Sequence, residues 1–260
     1  MTEEAIPRPA ATVLLLRDGV GGGDGPTGLE VFMVVRHDAI AFAGGALVFP
    51  GGRVDDADHE FAGTDPFHVA AIRETFEECG VLLARPNGSP NLVPAERALA
   101  IEAKWRAPLC AAETDFATIL AAEKLSLAAD LLVPFAHWIT PRTQRKRFDT
   151  HFFMAHAPAD QLAAHDGSES VASVWITPEA VLAGQARGEY KLVFPTLLNL
   201  KKLGRHANAA TALAAARASR VVTVMPEQVK LDDSGRRHLR LPIEADYGGE
   251  LFEVDLPSSS

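Results

Sequence analysis

A chain of 260 residues, 47% hydrophobic and 23% charged, has the composition of a folded globular protein and is long enough to bury a core without covalent staples. Its formal net charge of −9 argues against a general nucleic-acid-binding surface, although a metal ion and a few local bases can still hold an anionic substrate in an acidic protein. Two cysteines, Cys79 and Cys110, exclude a disulfide framework and fit a reducing cytoplasm.

Residues 1–9 read as a loose leader without the basic start and apolar run of a signal peptide. No segment approaches the ~18 uninterrupted apolar residues of a membrane span. Ala11–Arg17 reads as a buried strand, Asp18–Gly28 as a glycine-rich loop and Leu29–Arg36 as a second strand. Within that loop Gly23, Gly25 and Gly28 fit G-x-G-x-x-G. The strand-like segment that follows supplies no helix N-terminus for a pyrophosphate, so dinucleotide binding is rejected. The apolar run Ala46–Phe49 stops at Pro50, Gly51 and Gly52, and residues 53–65 are acidic and irregular.

A helix is expected from Asp65 and Pro66, a good N-cap followed by a residue favoured in the first turn, to Gly80, a usual C-terminal stop. Residues 94–130 read as two helices. Pro134–Ile139, Asp149–Ala155 and Val171–Ile176 read as strands, and Pro178–Ala186, Pro195–Leu203 and Ala207–Ala218 as helices. Arg220–Met225 suggests a strand, and two runs flanking Asp232, Asp233, Ser234 and Gly235 suggest a hairpin. Mixed elements in this order argue for an α+β fold or an α/β/α sandwich.

The helix ending at Gly80 carries the chemistry. At about 100° per residue, with Glu74 at 0°, Glu77 falls near 300° and Glu78 near 40°, whereas Val69, Ile72, Phe76 and Cys79 fall between about 140° and 220°. Three carboxylates thus share the face opposite the apolar stripe. Like charges at this spacing cost about 0.2–0.5 kcal/mol per pair. Arg73 offsets part of that through Glu77, and a divalent cation would relieve it more fully. Oxygen-only ligation suits Mg²⁺ or Mn²⁺. The plain alternative is a solvated acidic face, weakened here by the Gly51-Gly52 turn upstream and by the full string Arg73-Glu74-Thr75-Phe76-Glu77-Glu78-Cys79-Gly80-Val81.

That string resembles the box of the Nudix hydrolases, G-x5-E-x7-R-E-U-x-E-E-x-G-U with U apolar; Thr75 departs from the pattern. The upstream acid has two candidates. Counted from Gly52 it is Asp58, and counted back from Arg73 it is Asp65, so the box carries an insertion of seven residues. Val48–Asp55, Ala71–Glu78, Trp138–Pro141 and Lys146–Phe153 are similar to the subfamily that includes acyl-coenzyme A diphosphatases.

The resemblance implies a Nudix α/β/α sandwich with a mixed sheet over residues 8–205, a helical insertion near 90–130 and a C-terminal extension over 206–260. It implies cleavage of a nucleoside diphosphate linked to another group, with coenzyme A or acyl-coenzyme A first. NADH, ADP-ribose or another conjugate is the alternative, and a non-catalytic nucleotide-sensing module the alternative from a different class. Glu74, Glu77 and Glu78 would hold Mg²⁺ or Mn²⁺, with a carbonyl of Gly51 or Gly52 as a further ligand. Glu74 would hold a metal or act as base, and Arg73 would orient the glutamates. The partner implied is a small nucleotide-derived molecule, with no nucleic acid or membrane; homodimers are common in the family.

A distal acid is expected at Glu169, with Asp166 as runner-up. Arg145 and Arg147, in the basic run Arg142–Arg147, and Arg53 are candidates to hold substrate phosphates, although a solvated hairpin tip explains the run equally well. Cys79 falls on the apolar face and reads as a buried thiol. The nine histidines show no metal spacing.

Overall fold

The computed structural model describes residues 5–20, 26–36, 45–159, 161, 170–230 and 237–254. β1 (Arg8–Val20) and β2 (Pro26–Arg36) pair antiparallel, with Leu16 opposite Val31 and Asp18 opposite Leu29. Both strands run further into the glycine-rich segment than its composition suggests, because ladder hydrogen bonds outweigh the poor strand propensity of Asp and Gly. The short strands β3 (Leu47–Val48) and β4 (Gly51–Arg53) follow.

The irregular acidic stretch contains one 3-10 turn at Asp56–Glu60. α1 (Pro66–Cys79) then takes the bounds expected of it. The Asp65 carboxylate accepts a hydrogen bond from the Phe67 N–H at 2.8 Å. Gly80 closes the helix at φ 71°, a left-handed conformation that glycine adopts without a Cβ clash, and its N–H donates to the Phe76 carbonyl.

β5 (Ala84–Pro86), α2 (Ala95–Cys110), α3 (Phe116–Ala122) and β6 (Leu125–Leu127) come next, so the two helices expected between 94 and 130 form. The β5–β6 pair was not legible: each strand has only three residues and one contains Pro86. β7 (Val133–Ile139), β8 (Phe148–His156), β9 (Ser170–Ile176), α4 (Pro178–Ala186), α5 (Phe194–Leu203) and α6 (Ala209–Ala218) match their sequence patterns closely. β10 (Thr223–Val224) is shorter than expected; β11 (Glu227–Lys230) and β12 (Arg237–Arg240) pair as the expected hairpin, and β13 (Leu251–Glu253) extends it.

The main sheet has eight strands in the order β10-β7-β8-β1-β2-β3, with β4 on β1 and β9 on β2. It is mixed: β1 runs parallel to β8 and antiparallel to β2 and β4. β4 pairs with the start of β1 (Ala10 opposite Arg53) and β2 with its end, while β3 pairs with β2 at Val34 and Val35. Residues 47–53 therefore fill a fork between β1 and β2, and Gly51 and Gly52, where the apolar run was expected to stop, instead pair with Thr12 and Ala11 of β1.

Side chains alternate across the sheet and build two cores. Val13, Leu15, Phe153 and Ala155 pack against Ile72 and Phe76 of α1 and against Ile119 of α3. Leu14, Leu16, Phe152 and Met154 pack on the other face against Leu198, Leu200 and Leu213 of α5 and α6. Each fully buried side chain such as Phe76 contributes about 1.5–3 kcal/mol. Helices on both faces of a mixed sheet make the expected α/β/α sandwich.

Residues beyond 206 enter the second core. β10 adds a strand to the main sheet beside β7, and buried Tyr247 accepts from Trp138 Nε1 at 2.8 Å and donates to Asn199 Oδ1 at 2.7 Å. Among the described residues, no helix is long and apolar enough to cross a membrane.

Candidate active site

Arg73 organises the face of α1 opposite the apolar stripe. Its guanidinium makes a bidentate pair with Asp58, at 3.0 and 2.9 Å, and donates to Glu74 Oε1 at 2.9 Å, to Glu77 Oε1 at 3.1 Å and to the Arg53 carbonyl at 2.8 Å. Arg73 is only 7% exposed and Asp58 only 1%. Burial opposes the charge of Arg73, but its hydrogen bonds to Asp58 and the charges of Glu74, Asp58 and Glu77 outweigh it and push its pKa up, so the guanidinium is permanently charged.

These contacts identify the upstream acid. It is Asp58, the sixth residue after Gly52; Asp65 instead caps α1. The seven additional residues therefore lie between Asp58 and Arg73. They form a loop that leaves the acid in place, because the 3-10 turn at Asp56–Glu60 returns its side chain to the helix. The Asp55 N–H donates to Asp58 Oδ2 at 2.9 Å and helps hold it there.

The carboxylates meet the glycine turn. The Gly51 N–H donates to Glu78 Oε2 at 2.9 Å. A Cβ on Gly52 would run into the carboxyl group of Glu74, and one on Gly51 into the backbone of β1. Gly51 thus requires glycine, both for its φ of +153° and for the β1 backbone beside it, whereas a side chain at Gly52 would displace the Glu74 carboxyl. Burial pushes the Glu77 carboxyl above its ordinary range, with Arg73 opposing and Asp55 and Asp58 adding to the rise.

Glu74, Glu77 and Glu78 offer carboxylate oxygens of the kind hard divalent cations use, and Arg73, which has no ligand atom, holds two of them in place. The residues present fit such an ion. Thr75, which breaks the apolar pattern, is fully buried and satisfies its hydroxyl by donating to the Ala71 carbonyl at 2.7 Å. Cys79 is buried in the apolar core, as expected. From α2, Arg106 Nε donates to the Glu77 carbonyl at 2.9 Å and ties down the C-terminal turn of α1.

The other candidates fare differently. Glu169 and Asp166 lie outside the described residues. Arg53 and Arg145 are exposed. Arg147 is buried and donates to the carbonyls of Thr140, at 3.1 Å, and Ala5, at 2.7 Å, so its guanidinium joins the hairpin to the segment before β1.

The expectation that no histidines have metal spacing is corrected. His137, Asp149 and His151 offer ligand atoms that all lie within 4.8 Å of one another. His137 of β7 sits directly opposite His151 of β8, and Asp149 lies two residues earlier on the same strand face. The Asp-x-His spacing on one strand was the only sequence signal. The partner strand's register, which brings in His137, could not be read.

Residues 60–203 match the family profile of the NUDT19 Nudix domain. The chain is 30% identical over 181 residues to putative nudix hydrolase 7 of Caenorhabditis elegans, covering 68% of this chain and 56% of that protein. It is 28% identical over 258 residues to the acyl-coenzyme A diphosphatase NUDT19 of Gallus gallus, covering 75% of this chain and 68% of that protein. The crystal structure of a NUDIX hydrolase from Alicyclobacillus acidocaldarius is similar with a TM-score of 0.62 and 29% identity, over 80% of this chain and 96% of that one.

Proposed function

The chain belongs to the Nudix hydrolase family, and from that premise we propose that it is a metal-dependent diphosphatase acting on coenzyme A or its thioesters. The observation that carries this reading is the convergence of Glu74, Glu77 and Glu78 on one side of α1, two of them on a single Arg73 nitrogen and the third on the Gly51 N–H. A sensing module has no need to keep three carboxylates on one side of a helix. Similarity to an acyl-coenzyme A diphosphatase supports the choice of substrate.

Nudix hydrolases use divalent metal ions. Glu74, Glu77 and Glu78, with a carbonyl of Gly51 or Gly52, would hold Mg²⁺ or Mn²⁺, which would neutralise the diphosphate and lower the pKa of a bound water. The chain's own residues do the positioning. Arg73 holds Glu74 and Glu77 in register while Asp58 fixes Arg73. Glu74, whose carboxyl packs against Gly52, would take a proton from an attacking water. Arg53 and Arg145, both exposed, would meet substrate phosphates, whereas Arg147 is committed to backbone carbonyls. Glu169 is carried forward as the distal acid from the sequence alone.

Product analysis tests the reading. Coenzyme A, NADH and ADP-ribose are incubated with Mg²⁺ or Mn²⁺, and the expected products are 3′,5′-ADP and a phosphopantetheine from coenzyme A. Hydrolysis of none of them removes the enzyme assignment, and turnover of NADH or ADP-ribose alone reassigns the substrate. Glu78→Gln is expected to abolish turnover; wild-type activity in that variant removes the metal assignment.

A further inference from the structure

The sheet face that packs against α1 carries a second cluster of metal-ligating groups. His137 and His151 stand side by side on β7 and β8 with ring centroids 4.1 Å apart. Asp149 Oδ1 lies 2.5 Å from His137 Nε2 and 3.9 Å from His151 Nε2. Phe67, in the first turn of α1, packs on His151 at 4.0 Å between centroids. The Nudix glutamates begin seven residues further along the helix, a rise of about 10 Å.

We infer that His137, Asp149 and His151 form a second metal site, chemically distinct from the glutamate centre, that takes a zinc-like divalent transition ion. Four observations lead there. The first is spacing: bonds of about 2.0–2.1 Å in a tetrahedral site set ligand atoms about 3.3 Å apart, between the two separations seen here. Opening one contact by about 0.8 Å and closing the other by about 0.6 Å reaches that value, and all the ligand atoms of the cluster already lie within 4.8 Å of one another.

The second is a partner that fixes the ring of His137. Its Nδ1 lies 2.8 Å from the Thr223 hydroxyl on β10. When that hydroxyl accepts the Nδ1 proton, Nε2 keeps its lone pair for a metal, the arrangement that metal-bound histidines ordinarily show. The ion then sits between Nε2 and Asp149 Oδ1, and any proton held there leaves to solvent.

The third is access. The side chains are 16%, 32% and 35% exposed for His137, Asp149 and His151, so three protein ligands leave a coordination position open to water. The fourth is donor chemistry. Two imidazoles and one carboxylate favour Zn²⁺ and its transition-metal neighbours, whereas the glutamate centre offers only oxygen and favours Mg²⁺ or Mn²⁺. The neighbourhood of α1 would thus sort two classes of ion into two sites.

Cobalt supplies the test. Chelator-stripped wild-type chain is held in excess Mg²⁺, which occupies the glutamate centre, and titrated with Co²⁺ while visible d–d absorption is followed, with Zn²⁺ as competitor. One Co²⁺ per chain is expected, displaced by Zn²⁺ and not by Mg²⁺. His151→Ala and His137→Gln should each weaken Co²⁺ binding more than 100-fold, Thr223→Val about 10–100-fold, and Glu78→Gln not at all.

Thermal melts of the stripped variants separate loss of a ligand from loss of fold, and Thr223→Val stands in for any histidine variant that does not fold. A wild-type chain that binds no Co²⁺ in excess Mg²⁺ overturns the site. So does a folded His151→Ala that keeps wild-type affinity, or a Glu78→Gln that loses it.

Discussion

The two clusters flanking α1 are built by opposite means. The glutamate centre draws Arg73, Glu74, Glu77 and Glu78 from one helix, and α1 brings them together by its own period. The histidine cluster draws on three strands, with His137 on β7, Asp149 and His151 on β8, and Thr223 on β10 orienting the ring. A helix makes neighbours of residues three and four apart, so the first centre is a local consequence of sequence. The second exists only because strand register places distant residues opposite one another.

The centres also differ in their stakes. Arg73 and Asp58 are buried charges that neutralise each other, whereas the histidine cluster is partly solvated. Arg73→Ala should therefore have the largest effect of any single change here, because it strands Asp58 in the interior. A loss of about 3–5 kcal/mol is expected, read as a lower midpoint in urea unfolding. Arg73→Lys should recover only part of it, since an ammonium cannot reproduce the bidentate pair. A small effect of Arg73→Ala would mean that the Asp55 N–H and water are partners enough for Asp58, and the contrast between the clusters would weaken.

Gly52→Ala comes next. Its Cβ would displace the Glu74 carboxyl group, so turnover should fall about 100-fold with little change in stability. An unaltered kcat would show that Glu74 tolerates displacement and is not the base.

Glu77→Gln makes a subtler distinction. Burial raises the Glu77 pKa in the folded chain, so its stabilising contribution is complete below the ordinary carboxylate pKa and is lost as pH rises through the folded value. At neutral pH the ionised group is thus a cost. The variant should melt higher than wild type without metal and gain less from Mg²⁺. A variant that melts lower would show that the Arg73 contact outweighs the burial.

The smallest effect belongs to His68. Burial lowers its pKa from the ordinary 6.5, with Asp65 opposing. A depressed histidine contributes stability that is present above the unfolded value and lost as pH falls toward the folded one. The melting temperature should decline below about pH 6.5, and less steeply in His68→Gln. Equal slopes in the two proteins would assign the decline to other groups.

Much of the architecture was legible because it rests on short-range rules. The Asp65 cap, Pro66 and Gly80 delimit α1, and Thr177 and Pro178 open α4 in the same way. The three-residue strands β5 and β6 and the shortening of β10 were not legible, since strands that brief carry no period of their own. Arg147 illustrates the same limit at the level of one side chain. In sequence it is one base in an exposed basic run, and only the fold shows it buried against the carbonyls of Thr140 and Ala5.

The sequence by itself determined the carboxylate face of α1 and its opposition to the apolar stripe, because helical spacing is a property of neighbouring residues. Only the tertiary structure decided that Asp58 and not Asp65 answers Arg73, and that His137 joins Asp149 and His151. Both choices depend on how a loop returns to a helix and how strands align, and those are settled by burial and pairing across the whole sheet rather than by any local pattern.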